Sequence, residues 1–291
     1  MSTATLLRGF DAHVAEISGI RTRYWLGGAG PPVVLVHGLG GAAVNFTELA
    51  PLLARRHRVL VPDLPGHGGT APLPEIESLG DLGAHVARVA EHEAMAPAAL
   101  VGYSMGGVIG LRLAAERPDV VSALALIASA GIVSLTRRAW LWLDVVSVVR
   151  PGRIVARVRG TVARRPNLRR PIFGYWGADD PGRLSPEAVA GFLAAQPEHQ
   201  DVDSASVALR REDPRTYLER VRCPTLLVWG ARDRLIPLED GFEYARRIPA
   251  PLRVLPAAGH LLVGEFPEEC AALLLDFLGP RPPGLDRSSS P

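Results

Sequence analysis

Ser104 stands between Gly102 and Gly106 at the end of an apolar run, in the stretch Leu100-Val101-Gly102-Tyr103-Ser104-Met105-Gly106-Gly107. Glycines two residues before and two after a serine suit a sharp strand-to-helix turn that lifts Oγ clear of the backbone, as a nucleophile requires. The hydroxyl is inert at neutral pH until a base takes its proton, and the base needs an acid to hold it in one tautomer. In a strand-turn-helix scaffold both partners follow the serine, acid first and histidine second, each on a loop after a strand. Residues 225–229 are an apolar run ending in Gly230-Ala231-Arg232-Asp233-Arg234, and 252–255 read as another strand, ending in Pro256-Ala257-Ala258-Gly259-His260. Asp233 and His260 are the candidate acid and base. An acid could also follow the apolar run 123–127, but Ala128-Ser129-Ala130-Gly131 supplies none. Of the other histidines, His57 approaches a strand, His85 and His92 fall on an amphipathic helix, and His199 lies in a polar segment with Glu198, Gln200 and Asp201.

Attack on a carbonyl also needs two backbone donors where negative charge develops, each worth roughly 3 to 4 kcal/mol. The N–H of Met105 follows the nucleophile and opens the helix. The second donor should come from the loop after an earlier strand, and 33–36 leads into His37-Gly38-Leu39-Gly40-Gly41, which is rich enough in glycine to let backbone approach a ligand. Leu39 N–H is the candidate. His37 has the character of a loop brace, with Gly38, Gly102 and Gly106 as the other structural positions. Tyr103, Trp140 and Trp142 are candidates for substrate contact.

These side chains need a scaffold of alternating strands and helices, and the pattern supplies one. Residues 11–17 and 20–26 suggest an antiparallel strand pair turning at Ser18-Gly19, while 47–55 and 79–93 have helical spacing. Alternation stops over 131–213, where helical stretches are broken by prolines, and resumes from 214 with a short helix, the two site strands, a helix at 239–247 and a last one at 267–278. The division is a core of 1–130 and 214–279, a helical cap inserted at 131–213, and a disordered tail over 280–291 rich in proline and serine. A cap placed above the serine would exclude water and select substrates.

The 291 residues are 47% hydrophobic, ample for a buried core, and the net charge of +2 argues against nucleic acid. Every basic residue is arginine. Ten arginines and one acid, Asp144, lie between Arg137 and Arg170, so this stretch carries +9 and the rest of the chain about −7. Arg150, Arg153 and Arg157 share a helical face, beside the apolar run 139–149, which is too short to span a bilayer. The cap could therefore meet an acidic partner, an anionic surface or a carboxylate-bearing substrate. Cys223 and Cys270 fit small buried hydrophobes rather than a disulfide framework. Residues 1–10 lack the apolar core of a signal peptide, which makes the cytoplasm the expected location.

Together, the Val36-His37-Gly38 loop, the Asp63-Leu64-Pro65-Gly66-His67-Gly68 loop, the Gly102-to-Gly107 turn and Gly259-His260 resemble the α/β-hydrolase superfamily over about residues 19–279. The resemblance implies an α/β fold with an eight-stranded, mostly parallel sheet, helices on both faces, a cap domain, no cofactor or metal, and a serine esterase mechanism with the oxyanion held by Leu39 and Met105. It also implies a loop-bracing role for Asp63. Dehalogenases and epoxide hydrolases of the superfamily carry aspartate where Ser104 stands. Hydrolases of carbon-carbon bonds in ring-fission products keep the serine but usually show an HGxGPG-type loop, an asparagine before the nucleophile and a tryptophan after the histidine. Here Gly40-Gly41 lacks the proline, and Tyr103 and Leu261 occupy the other two places. Ester hydrolysis ranks first, ahead of carbon-carbon hydrolysis and cofactor-free perhydrolysis, with a ligand-binding receptor on the same fold as the non-enzymatic alternative.

Overall fold

Two runs in this chain, Ala98–Tyr103 and Thr225–Gly230, are buried at every position. Strands without a polar face must be covered on both sides, which is the situation of parallel strands flanked by helices. The computed structural model describes residues 7–132, 151–174 and 177–279 and bears this out. The strands are β1 (Phe10–Ile17), β2 (Ile20–Gly27), β3 (Pro32–Val36), β4 (Arg58–Pro62), β5 (Ala98–Tyr103), β6 (Val121–Ile127), β7 (Thr225–Gly230) and β8 (Leu252–Leu255). They form one eight-stranded sheet in the order β1-β2-β4-β3-β5-β6-β7-β8. β1 and β2 make a hairpin paired Ile17 to Ile20, β2 runs antiparallel to β4, and every other pairing is parallel. Ser18 and Gly19, at φ 51° and 77°, take the left-handed conformation that a two-residue hairpin turn demands.

Helices cover both faces. Leu79–His92 (α2) and Met105–Glu116 (α3) pack with Tyr244 and Trp229 on one side, while Phe46, Leu49, Leu53, Cys270 and Leu274 fill the other. The helical spacing over 47–55 resolves differently from expectation: a 3-10 turn spans Ala43–Phe46, and the helix proper, α1, is only Leu49–Leu53. Pro51 is the reason. It lacks an N–H and its ring would clash with the carbonyl of Thr47, so it is tolerated only within the first turn and the helix must begin near Leu49.

Between β6 and β7 the described residues are helical: α4 (Pro151–Arg157), α5 (Arg159–Arg164), α6 (Pro166–Phe173), α7 (Pro186–Ala194) and α8 (Val202–Arg211). Ser185 accepts the Ala188 N–H and Asp201 accepts the Ser204 N–H, so the starts of α7 and α8 are capped by their own side chains. The insertion carries a small apolar cluster of its own, with Val162, Phe173, Leu184, Val189 and Leu193. The apolar run 139–149 with Trp140 and Trp142, the arginines at 137, 138 and 150, and the tail 280–291 lie outside the described residues. Among the described residues no helix is long and apolar enough to cross a membrane.

Candidate active site

β5 delivers the chain into Ser104, whose φ of 55° and ψ of −120° place a non-glycine residue in strained backbone at the head of α3. Three hydrogen bonds pin it: Ser104 N–H to the Ile127 carbonyl at 3.0 Å, and the Ser104 carbonyl accepting from Gly107 at 2.9 Å and Ala130 at 3.1 Å. The flanking glycines are required by proximity. A Cβ at Gly102 would lie 2.3 Å from the Gly106 carbonyl oxygen, and one at Gly106 would lie 2.2 Å from that of Val36.

The loops after β7 and β8 bring the two other candidates to this turn. His260 Nε2 lies 3.1 Å from Ser104 Oγ, and Nδ1 lies 2.8 Å from Asp233 Oδ2. Asp233 accepts the N–H groups of Leu235 and Ile236 on its other oxygen, at 2.9 and 2.8 Å. A carboxylate so supplied with donors acts only as an acceptor, so His260 carries its proton on Nδ1 and turns a bare Nε2 toward the serine. The Asp233 loop is fastened to the core through the buried Trp229 indole, which donates to the Ile236 carbonyl at 3.1 Å.

Gly38 abuts Ser104, since a Cβ there would come within 2.9 Å of Ser104 Cβ. The Gly41 N–H closes a tight turn onto the Gly38 carbonyl at 3.0 Å, and Gly40, with φ of 65°, supplies its left-handed residue. Among the described residues neither Leu39 N–H nor Met105 N–H finds a hydrogen-bond acceptor. For Met105 this follows from its place at the start of a helix, where N–H groups have no partner within the helix.

Three imidazoles pack behind this turn, tilted or edge-on to one another: His37 and His67 have ring centroids 5.3 Å apart, His67 and His199 5.6 Å. His37 donates from Nδ1 to the Gly38 carbonyl and accepts the Leu64 N–H on Nε2, so it braces two loops. Burial drives His37 well below the usual histidine range and His67 down to about 4. Asp63 is fully buried and accepts from Ala43 N–H, Gly69 N–H and the Arg23 guanidinium. Among the described residues no cluster of three or more His, Cys, Asp or Glu side chains is arranged to hold a metal ion.

Tyr103 departs from expectation. It is buried, its hydroxyl donates to the His260 carbonyl at 3.1 Å, and its ring packs against His260 and Phe46. It packs beneath the histidine, because the residue before the turn still belongs to the strand. Trp140 and Trp142 fall outside the described residues.

Sequence reasoning passed over three residues. His199, from what reads as a polar segment, is buried against the Gly38–Gly41 turn. Glu265 is buried and accepts the Gly259 N–H beside His260. Asp179, from the insertion, pairs with Arg232 at 2.7 Å and Arg234 at 3.4 Å, the two neighbours of Asp233. Their partners lie on other elements, so local pattern carries no trace of them.

Known proteins share this arrangement of chain. The family model described as alpha/beta hydrolase fold matches residues 31–267. The chain is 34% identical to the dihydrolipoyllysine-residue acetyltransferase component of the acetoin cleaving system of Pseudomonas putida, over 91% of its own length and 68% of the relative's. It is 32% identical to the pimeloyl-[acyl-carrier protein] methyl ester esterase of Chromobacterium violaceum, over 80% of this chain and 88% of that one. The crystal structure of a serine hydrolase involved in carbazole degradation, CarC, superposes with a TM-score of 0.67 at 26% identity, covering 92% of this chain and 98% of the other. The sheet order, the strained serine turn and a family match across most of the chain agree, and the chain belongs to the alpha/beta hydrolase fold family.

Proposed function

We propose that this protein is a serine hydrolase that cleaves a carboxylic ester of a small apolar acyl group through an acyl-enzyme, with Ser104, His260 and Asp233 as its catalytic triad. The observation that carries the reading is the unbroken hydrogen-bonded chain from Ser104 Oγ through the imidazole to Asp233, with its tautomer set by the two donors on Asp233. Ser104 Oγ attacks the carbonyl carbon as its proton passes to His260 Nε2. The tetrahedral oxyanion is received by the N–H groups of Leu39 and Met105. His260 then hands its proton to the departing alkoxide as the carbon-oxygen bond breaks. Water, deprotonated by the same nitrogen, attacks the acyl-serine, which releases the carboxylic acid and returns the proton to Oγ.

The helical insertion is the proposed cap. Its described surface exposes Arg157, Arg164, Arg165 and Arg170, with no acid between residues 154 and 174. This favours substrates or partners that present negative charge near the site. The relative named as a methyl ester esterase supports ester over other acyl bonds. Similarity to the carbazole-degradation hydrolase supports a second reading, cleavage of a carbon-carbon bond in a ring-fission product, by the same serine.

A fluorophosphonate probe tests the chemistry: stoichiometric labelling of the folded protein that disappears in Ser104→Ala is the expected result. Folded protein that stays unlabelled favours a ligand-binding role. A panel of nitrophenyl esters of increasing acyl length, run beside a dienol diketone acid, then separates esterase from carbon-carbon hydrolase.

A further inference from the structure

The stretch from Gly177 to Asp180 touches both loops that carry the candidate acid and base. His260 and Leu261 donate their N–H groups to the Gly177 carbonyl, at 2.7 and 3.2 Å. The Asp179 carboxylate pairs with Arg232 and Arg234 on either side of Asp233. Gly259 admits this approach because it lacks a side chain: a Cβ there would lie 2.5 Å from the Asp179 nitrogen and 2.7 Å from the Gly177 carbonyl oxygen. Insertion and catalytic loops are thus in backbone contact.

Glu265 sits at the centre of this junction. Oε1 accepts the Asp180 N–H at 3.0 Å and Oε2 accepts the Gly259 N–H at 2.9 Å. One buried side chain therefore joins Asp180 to the residue before the candidate base. Burial outweighs these donors and pushes the carboxyl up to about 7. No step of the proposed reaction uses Glu265, and a well-packed apolar residue would fill the same space without the cost of burying a carboxylate.

We propose that Glu265 is a positioning residue that makes the placement of the His260 imidazole conditional on the insertion segment Gly177–Asp180. The inference rests on the serine-hydrolase reading. With the segment docked, the Gly259–His260 backbone is held from both sides and Nε2 stays in reach of Ser104. When the segment lifts, His260 loses the Gly177 acceptor and the Glu265 clamp loses one of its two donors. The cap would then act as more than a lid, because ordering it over a substrate also completes the base.

The test is Glu265→Gln, which keeps shape and volume but replaces one acceptor oxygen with an amide that meets an N–H donor. Three measurements are made on the full chain: the rate of fluorophosphonate labelling, kcat and KM for a short nitrophenyl ester, and the downfield proton resonance of the His260 Nδ1–H. Labelling and kcat are expected to fall together by about tenfold, toward the ceiling of about 10²-fold for a misplacement near 1 Å, with KM little changed. The resonance is expected to broaden or move. A variant with a lower Tm but labelling within about twofold of the parent and an unmoved resonance overturns the proposal as a merely structural effect. If Glu265→Gln does not fold, Glu265→Asp carries the test: it keeps the carboxylate but draws it back by one methylene from the Asp180 and Gly259 N–H groups, and a folded variant that labels at the parent rate with an unmoved resonance overturns the proposal equally. Parent protein that fails to label counts against the hydrolase reading alone, since the resonance still reports whether Glu265 sets the histidine.

Discussion

His199 Nε2 lies 3.0 Å from the Gly40 carbonyl while its Nδ1 accepts the Gly68 N–H at 2.9 Å, which ties an insertion residue to two core loops at once. Because Nδ1 is an acceptor here, the ring proton must sit on Nε2 and donate to Gly40. Gln196 donates to the same carbonyl at 2.9 Å. The turn bearing Leu39 is thus held from the insertion side, and the His199→Ala variant is expected to lower kcat by about tenfold. That lies below the roughly 10²- to 10³-fold cost of removing an oxyanion donor outright. Steady-state kinetics with a nitrophenyl ester checks it. Parent-like kcat in a folded variant would place the hold on the turn elsewhere.

Gly38→Ala sets a methyl group against Ser104, 2.9 Å from its Cβ and 3.3 Å from Oγ. The strain falls on the nucleophile and not on the core. Expected are a loss of about 10²-fold in kcat/KM and a Tm close to the parent's. Thermal unfolding beside the ester assay separates the two effects.

Asp233→Asn should be far more damaging than its size suggests. The two backbone donors from Leu235 and Ile236 will hold the amide oxygen, which turns the NH2 group toward His260. The imidazole must then accept on Nδ1 and carry its proton on Nε2, where it cannot take one from Ser104. A fall in kcat of about 10⁴-fold is expected, with the fold intact by circular dichroism.

Stability should decline as pH falls from about 6.5 to 4. His67 and His85 are held neutral by burial, both lowered to about 4, and His37 is lowered well below its ordinary value. In that window the unfolded chain binds protons that the native state refuses, so acidification favours unfolding, by on the order of 3 kcal/mol for His67 and for His85 at the acid end. Glu265, raised to about 7, has the opposite sign between about 4.5 and 7, because there the native state holds a proton that the unfolded chain has released. The histidines outnumber it. Urea unfolding at a series of pH values, with Glu265→Gln as a second series, checks both signs.

Charge on the proposed cap makes a kinetic prediction. For a nitrophenyl ester whose acyl chain ends in a carboxylate, kcat/KM should drop several-fold between about 0.05 and 0.5 M salt, as the screening length contracts to a few ångströms. A neutral ester of equal length should change little. Equal salt response of the two esters would remove the arginines from substrate attraction.

Local pattern was enough for whatever depends on near neighbours in the chain. The elbow is legible because its residue pattern is local, and Gly102 is forced by a contact within it, on the Gly106 carbonyl, although Gly106 is forced from β3 by the Val36 carbonyl. The strands are legible because burial on both faces leaves runs without a polar residue, and the α/β order follows from their alternation with helices. Asp233 and His260 are legible as candidates because each lies on the loop after a strand, a fully buried one for Asp233 and a partly exposed edge strand for His260. The shortening of the helix predicted over 47–55 was in principle readable from Pro51.

What local pattern missed shares one cause, that at least one defining partner lies far along the chain. Tyr103 looked available to substrate until packing turned it under His260, 157 positions later. His199 looked like part of a solvated segment until the insertion laid it against Gly40, 159 positions earlier. Glu265 is one acid among 30 in composition, and only the docking of Asp180 and Gly259 around it gives it a task. The sequence alone determines the chemistry that the serine, histidine and aspartate are able to perform, because it sets residue types and the strand ends that carry them. The tertiary structure decides how that chemistry is held in place, because the bonds that join its parts, from His260 to Ser104, Asp233 and the Gly177 carbonyl, connect segments that only folding brings together.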